Sequence, residues 1–515
     1  SPPPYDIDWP MTTDGTTERA APLATRFRKR VAGEGGYTDV LKIAFPMIVS
    51  SATFMAMMMT DRVFLSRLGP SHIAAAGSGG LLSFLSLTFF MGLIGYVNAQ
   101  VAQHVGAREP DRCAVTTTQG LICGLCGYPL ILLWVPLGLY LLTLADHAPA
   151  QQVLEKQYFT ILVVGAFISL PGVAVRSFFA GIGRTTVVMV ASAVAMIVNI
   201  AVNYVLIFGH FGFPRLEIAG AAYGTLAGEA AGAVVVGVLY LGRRCRDEYG
   251  THKAFRYDHR EMRRLLRFGT PAGIEFFLNL AAFNLFVQLF HSYGRTAATA
   301  MTITFNWDMV AFVPMLGFNV ATTSLVGRYV GARNIPSAER AAFSGVHLAW
   351  IYSGAMAALF LLCPGTLVSV FTRQDATGDY SAVIPMATMM LRLAALYTVS
   401  DATGIVFRGA LRGAGDTQWC MRVSVLLHWL MAGICFILIK IAVVKELHVW
   451  GAFVLLVVFM SCVYYLRFRN GAWKHIELLD DRMEPPVGQA DGGDPETLNV
   501  PIQVADLQSL RPTEE

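Results

Sequence analysis

Apolar runs of roughly 20 residues, each long enough to cross the hydrocarbon core of a bilayer as a helix, recur along this chain from Leu41 to Leu466. Inside a membrane the backbone must satisfy its own hydrogen bonds, and a helix does so without any partner segment. Runs bounded by polar residues predict spans over 39–65, 72–104, 113–145, 152–182, 186–209, 217–242, 264–293, 297–329, 338–370, 382–413, 418–444 and 447–468. The expected fold is therefore an all-α integral membrane protein of twelve transmembrane helices. Only 14% of the residues are charged, against about 25% in soluble domains, and mean hydropathy is +0.52. A water-soluble fold is excluded, and no segment outside the spans is long enough to house a catalytic domain.

An even number of spans puts both ends on one side, and Lys and Arg accumulate in loops that stay cytoplasmic. One set of loops holds Arg67, Lys156, Arg215, Arg295, Arg373, Lys440 and Lys445. The other holds Arg243, Arg244, Arg246, Lys253, Arg256, Arg260, Arg263 and Arg264 between spans 6 and 7 alone, with Arg26, Arg28, Lys29 and Arg30 before span 1. Both termini are expected in the cytoplasm, in a cell's inner (plasma) membrane. The net charge of +4 is too small to imply nucleic acid. Residues 1–36 are polar and lack the charged-then-apolar pattern of a cleaved signal peptide, so span 1 is expected to direct insertion. The segment after Lys474 is rich in Pro, Gly, Asp and Glu without hydrophobic periodicity, the composition of a disordered tail. The expected organisation is a disordered N-terminus over 1–36, six helices over 37–242, a basic linker over 243–263, six more helices over 264–470, and a disordered tail over 471–515.

The chain also repeats itself. A shift of 225 residues superposes Pro46 on Pro271, Gly69 on Gly294, Gly92 on Gly317, and Val105-Gly106-Ala107-Arg108 on Val330-Gly331-Ala332-Arg333. Farther on, a shift of 232 places Arg176, Gly181, Gly183, Thr185 and Met189 on Arg408, Gly413, Gly415, Thr417 and Met421. Small residues recur in membrane helices for packing reasons alone, but that demand does not hold one register over 60 residues. Because each unit has six spans, both enter the membrane in the same direction. Parallel repeats of this kind are related by an axis along the membrane normal and can rock about a central cleft.

Asp61, Glu229, Glu275, Asp308 and Asp401 all lie within the apolar spans. A charged side chain at the bilayer centre costs at least about 2.5–3.5 kcal/mol, so each must face protein, water or a bound cation. A hydrogen bond between helices is the plainer role for any one of them. Five in a duplicated bundle point to the binding of protons or sodium ions. Asn199 and Asn203 are one helical turn apart and share a face. Glu275 and Asn279 are likewise one turn, about 6 Å, apart.

Other features carry less. Cys123 and Cys126 have redox or half-zinc spacing but sit in an apolar span without a second pair, and they read as packing residues. Met55, Met57, Met58 and Met59 point around the whole helix, so lipid and packing contacts fit them better than a drug pocket. His291, His347 and His428 each stand alone, and a hydrogen bond between helices suits them better than a proton relay. Arg176 and Arg408, at equivalent repeat positions, read as snorkelling or hinge residues near the cytoplasmic face.

The repeated Val-Gly-Ala-Arg, the segment Asp61-Arg62-Val63-Phe64-Leu65-Ser66-Arg67-Leu68-Gly69, and Leu411-Arg412-Gly413-Ala414-Gly415-Asp416-Thr417 resemble, in order and spacing, hallmarks of the multidrug and toxic compound extrusion (MATE) family. The stretch Asn203-Tyr204-Val205-Leu206-Ile207-Phe208-Gly209-His210-Phe211-Gly212-Phe213-Pro214 resembles its NorM-like branch. The resemblance runs from Tyr37 to Arg469. It implies an antiporter without a cofactor that exports small amphipathic, often cationic compounds from the bilayer and cytoplasm against an inward flow of protons or sodium ions, acting as a monomer. It carries a first-half cation site onto Asp61, Asn199, Asn203 and Thr225. In other branches of the family Asn203 is an Asp, and its absence here weakens a two-carboxylate sodium cage. Ala395-Leu396-Tyr397-Thr398-Val399-Ser400-Asp401-Ala402 resembles the segment with the second-half acid, so Asp401 takes that role. The branch's partner Glu is replaced by Asn279, which leaves Glu275 or Asp308 to supply the charge. Asp401, Glu275 and Asp61 are the expected contacts of a cationic substrate, and Asp61 and Asp401 the candidate sodium ligands.

Two other functions remain open at this point. A lipid-linked oligosaccharide flippase of the same superfamily should line its cleft with basic residues for pyrophosphate, whereas the interior charges here are mostly acidic. An intramembrane enzyme needs paired catalytic residues or a motif such as His-Glu-x-x-His, and the sequence has no such motif.

Overall fold

The computed structural model describes residues 30–144, 147–372 and 380–476. Of the segments expected to be disordered, 1–36 and 471–515, residues 1–29 and 477–515 lie outside the described residues, as does Arg373, whereas 30–36 lead in helical turns into span 1 and Ala472–His475 form a 3-10 helix that buries Trp473. Eleven helices are long and apolar enough to cross a membrane, and a bent pair makes the twelfth. Spans 1 to 6 are Tyr37–Ser66, Pro70–Gly106, Pro110–Leu144, Pro149–Gly181, Thr185–Phe208 and Glu217–Leu241. Spans 7 to 12 are His259–His291, Arg295–Gly331, Ile335–Leu362, Val383–Gly413, Thr417–Ile441 and Glu446–Asn470. Leu133, Ile351 and Leu455 are 74%, 72% and 70% exposed, which suits side chains facing lipid rather than water.

Three boundaries differ from the sequence reading. Span 4 bends by 48° at Gly165, onto which the Leu226 side chain packs so closely that a Cβ would lie 2.3 Å from it. The ninth span stops at Leu362, and a separate helix, Pro364–Thr372, begins at a proline, whose missing N–H costs nothing in a first turn. Span 7 starts at His259 rather than 264, because the Asp258 carboxylate accepts from the N–H groups of Arg260 and Glu261, both at 3.0 Å. Arg260 and Arg263 therefore sit on a helix and not in a loop. The linker that remains carries a short helix, Arg243–Tyr249.

The internal repeat has a structural meaning at nearly every position that reveals it. Gly69 and Gly294, at φ 131° and 105°, turn the chain from span 1 into 2 and from 7 into 8, a conformation L side chains rarely adopt. A Cβ on Gly92 would lie 2.7 Å from the Ala272 carbonyl, next to Pro271, and one on Gly317 would lie 2.5 Å from Ile48, two residues past Pro46. Span 2 thus leans on span 7 at the position equivalent to the one where span 8 leans on span 1. In the Val-Gly-Ala-Arg motifs, a Cβ on Gly106 would lie 1.9 Å from the Arg328 carbonyl and one on Gly331 would lie 2.1 Å from the Gln103 carbonyl. The ends of spans 2 and 8 therefore cross backbone to backbone. Arg108 and Arg333 follow in left-handed conformation, at φ 60° and 56°. There Glu109 N–H reaches the His104 carbonyl and Asn334 N–H the Tyr329 carbonyl, at 2.9 and 2.8 Å, closing both helices in the Schellman pattern.

Among the described residues, the hydrogen bonds between the two repeats all lie at the end of the bundle that carries the 243–258 linker. Gln103 Nε2 donates to the Gly413 carbonyl at 2.8 Å, and Ser324 Oγ to Ala180 at 2.9 Å. Gly35 N–H donates to Tyr329 Oη at 2.8 Å, Ser344 Oγ to the Gly35 carbonyl at 2.9 Å, and Tyr37 Oη lies 3.2 Å from His347 Nδ1.

Valine at Gly106 or Gly331 is expected to lower the thermal midpoint of the detergent-purified protein by the equivalent of roughly 1–3 kcal/mol or more, since the clash is with backbone. Alanine at Gly433, which has nothing within 4 Å of a Cβ, should leave the midpoint unchanged.

Candidate functional site

In the first repeat, spans 5 and 6 approach closely because Gly224 and Gly228 leave room for Asn203 and Asn199, whose atoms would lie 1.9 and 2.9 Å from an added Cβ. This presses the asparagine face of span 5 towards span 1. Asn203 Nδ2 donates to Asp61 Oδ1 at 2.5 Å and to Asn199 Oδ1 at 3.2 Å. Asn199 and Thr225 also adjoin the Asp61 carboxylate. The Thr225 hydroxyl donates to the Ala221 carbonyl at 3.0 Å, so its lone pairs are free. Asn199 Nδ2 and Asn203 Oδ1 are buried without partners. Tyr158 of span 4 stands near the same carboxylate. The four residues expected here do meet, and Tyr158 joins them with no signal in its local sequence.

The second repeat holds two separate arrangements. Glu275, wholly buried, lies with Oε2 2.9 Å from Arg412 Nη2 and Oε1 3.7 Å from Arg408 Nη1. Arg408 is therefore an interior ion-pair partner and not a snorkelling residue, and Arg412, one turn further on, shares its face. The Glu275 charge is matched by two guanidiniums of span 10, so of the two acids expected to supply the charge missing at Asn279, Glu275 is already paired. Asn279 itself donates to Ser424 Oγ at 2.7 Å. His428 Nδ1 lies 2.7 Å from the Ser424 carbonyl on its own helix, rather than bridging two helices.

The other arrangement joins spans 8 and 10. Tyr397 Oη donates to Asp308 Oδ1 at 2.7 Å. Asp401, one turn after Tyr397 on the same face, is half-buried and accepts no hydrogen bond among the described residues. Tyr397 could have been found in sequence from that i, i+4 spacing. Of the other acids within the bundle, Glu229 pairs with Arg176 at 2.9 Å and Asp416 with Arg467 at 2.8 Å, and wholly buried Glu155 lies 2.9 Å from His147 Nδ1. Asp61, Asp308 and Asp401 are thus acids inside the bundle without a cationic partner. Such carboxylates, flanked by hydroxyls and amides, can take up a proton or a hard monovalent cation. Among the described residues no three His, Cys, Asp or Glu side chains converge as metal ligands. Met57 is buried and Met58 and Met59 exposed, and all eight cysteines are free. A cavity of about 260 Å³ between Phe89, Phe90, Trp134 and Phe277 is lined by none of the acids.

A duplicated twelve-span bundle with unmatched acids in its interior has the make-up of a membrane transport protein. The MatE family model matches residues 46–205 and 271–437, and the chain belongs to the MatE family. It is 30% identical over 426 residues, 82% of this chain and 88% of the relative, to a probable multidrug resistance protein NorM of Rhodopseudomonas palustris. It is also 30% identical over 407 residues, 76% of this chain and 80% of the relative, to one of Pseudomonas aeruginosa. Two solved structures are similar with a TM-score of 0.78, each covering 87% of this chain and 98% of its own. One is a MOP superfamily transporter of Pyrococcus furiosus Vc1 with 21% identity, described by the reverse polarity of its binding pocket. The other is the outward-facing conformation of a multidrug resistance MATE family transporter, with 20% identity. The family is one of transporters and not an enzyme class.

Glu275→Gln would leave two interior guanidiniums without their carboxylate, and breaking a buried pair from one side costs about 3–5 kcal/mol. Asp401→Asn removes a carboxylate that accepts no hydrogen bond. In thermal melts of the purified protein, Glu275→Gln should lower the midpoint by several degrees and Asp401→Asn should not.

Proposed function

We propose that the protein is a secondary antiporter of the inner membrane that exports amphipathic, cationic compounds in exchange for protons or sodium ions. The observation that carries this reading is the set of three acids, Asp61, Asp308 and Asp401, without a guanidinium or ammonium within ion-pair distance, while Glu229, Glu275 and Asp416 each have one. The free charge inside the bundle is negative. That favours a cationic cargo over the pyrophosphate of a lipid-linked oligosaccharide, because the interior guanidiniums of Arg176, Arg408 and Arg412 are already engaged with carboxylates.

Coupling follows from competition. A drug cation and a coupling ion neutralise the same carboxylates, so each occupancy stabilises a different facing of the protein. The moving bodies are the lobes 37–242 and 264–470. The basic residues Arg243, Arg244, Arg246, Lys253 and Arg256 favour a cytoplasmic linker end, with both termini on that side. With the bonds between repeats gathered at that end, the arrangement is that of a bundle closed towards the cytoplasm. Asp401 and Asp61 are the coupling acids, with Asp308 and Tyr397 beside Asp401, and with Asn199, Asn203 and Thr225 around Asp61. The transporter works as a monomer and without a cofactor.

Drug uptake into everted vesicles, energised separately by a proton and by a sodium gradient, identifies the ion. Asp401→Asn at matched expression should cut gradient-driven uptake by at least tenfold, the scale of about 1.4 kcal/mol in coupling. Uptake indifferent to both gradients would rule out antiport. Near-normal uptake in Asp401→Asn with complete loss in Asp61→Asn would move the coupling to the first repeat.

A further inference from the structure

His104, at the last turn of span 2, is wholly buried where the repeats meet. Its Nδ1 lies 2.8 Å from Glu109 Oε2 in the loop to span 3, and its Nε2 lies 3.1 Å from Glu261 Oε2 in the first turn of span 7. A neutral imidazole has one N–H and one lone pair, so it can satisfy only one of these carboxylates and must repel the other. Both acids are placed to be ionised. Glu261 also accepts from Gln100 Nε2 at 2.6 Å, Arg112 Nη1 at 3.1 Å and Thr116 Oγ1 at 3.2 Å. It sits at a helix N-terminus, where the backbone dipole favours an anion. Glu109, outside the spans, is held below the ordinary carboxylate range, first by the hydrogen bond from His104, against a smaller effect of burial. With both acids ionised, only a ring that donates from both nitrogens satisfies the two carboxylates at once.

We propose that His104, Glu109 and Glu261 form a proton-binding site at the linker end of the interface between the repeats, apart from the acids inside the bundle, and that the bound proton holds this end closed. The titratable and charged groups around the ring are Glu109 from the loop, Arg112 and Cys113 from span 3, and Glu261 and Arg264 from span 7. Tyr96 lies two turns earlier on span 2, and Arg328 of span 8 lies beyond Cys113. Arg264 Nη1 approaches Nε2 to 3.5 Å while its Nη2 donates to Gln103 Oε1 at 2.8 Å. Two carboxylates and two guanidiniums cancel without the ring's charge, so the proton is retained by its two hydrogen bonds and not by surplus negative charge.

The other repeat shows that closure does not itself require a proton. A shift of 225 residues places His104 on Tyr329, Glu109 on Asn334 and Arg264 on Asp39. There the contacts are made by Tyr329 Oη, 2.8 Å from Gly35 N and 3.3 Å from Asp39 Oδ2, and by Asn334 Nδ2 and Ser337 Oγ, which donate to Glu34 at 3.1 and 3.2 Å. One crossing closes on tyrosine and amide donors, and its counterpart closes on an imidazolium. Separating span 2 from span 7 breaks the His104–Glu261 arm, so opening and proton loss are linked. Acid at this face favours closure and alkali favours opening. The inference rests on the rocking motion proposed above, and on neither the coupling ion nor the cargo.

The test is a spin-label distance across the linker end, between Thr186 and Gln418, which are exposed, repeat-equivalent first-turn positions of spans 5 and 11. Exposed Cys126, Cys363 and Cys462 are replaced by serine, and no drug or ion gradient is present. Raising the pH from about 6 to about 9 should increase the open-to-closed ratio on the order of tenfold, and His104→Gln should abolish the response. A wild-type ratio insensitive to pH, or a response intact in His104→Gln, would overturn the site. If His104→Gln does not fold, nitrogen NMR of the histidine-labelled wild type decides, since the proposal requires a doubly protonated ring at pH 6 and a neutral tautomer there would refute it. Failure of drug transport in every variant would remove the antiport reading and leave these outcomes unaffected.

Discussion

The backbone crossing of spans 2 and 8, where Gly106 meets the Arg328 carbonyl and Gly331 meets the Gln103 carbonyl, is the contact on which the rest of the bundle depends. Lipid tails are as apolar as leucine, so helices in a membrane gain little from hiding apolar surface against each other. They associate through close van der Waals packing and hydrogen bonds. A side chain at either glycine would hold the helices apart and break the register of everything beyond. The approach of Gly92 to span 7 and of Gly317 to span 1 repeats the device half-way along. Because the positions are duplicated, one local solution generates two crossings about an axis, and the polar contacts at the linker end are brought into range by them.

Charge is the second constraint, and it sorts the interior acids. Glu229, Glu275 and Asp416 have guanidinium partners at 2.8–2.9 Å and behave as fixed parts of the scaffold. Asp61, Asp308 and Asp401 receive only amide or hydroxyl donors, or none. In a low-dielectric interior an unmatched carboxylate is costly, which is why the proposed exchange of cations is assigned to these three. The His104 cluster differs in kind, because there a proton supplied from the solvent joins two repeats instead of being carried through them.

The twelve spans, the duplication and the family were legible in the chain because each depends on a local or one-dimensional pattern. Apolar length marks a span whatever its neighbours are, and a constant shift exposes the repeat. The Asn199 and Asn203 face was equally readable, being a matter of one helical turn. The bend at Gly165 was not, since it depends on Leu226 from another helix. The choice between Glu275 and Asp308 could not be read for the same reason. The partners of Glu275, Arg408 and Arg412, lie more than a hundred residues away in the chain, and Coulomb pairing is settled by distance in space. The short-range clue, that Arg408 and Arg412 share a helix face, says nothing about which acid they meet.

What the sequence by itself determined is the membrane as solvent, the helix as the only affordable backbone, and two copies of one unit entering in the same direction, because hydropathy and periodicity act residue by residue along the chain. What only the tertiary structure decided is which charges are spent on each other and which are left over. Asp401 and Glu275 are both acids in apolar helices and are indistinguishable by composition. Glu275 is paired with two guanidiniums and Asp401 has none within ion-pair distance among the described residues, and that difference arises when spans 7, 8, 10 and 11 pack together.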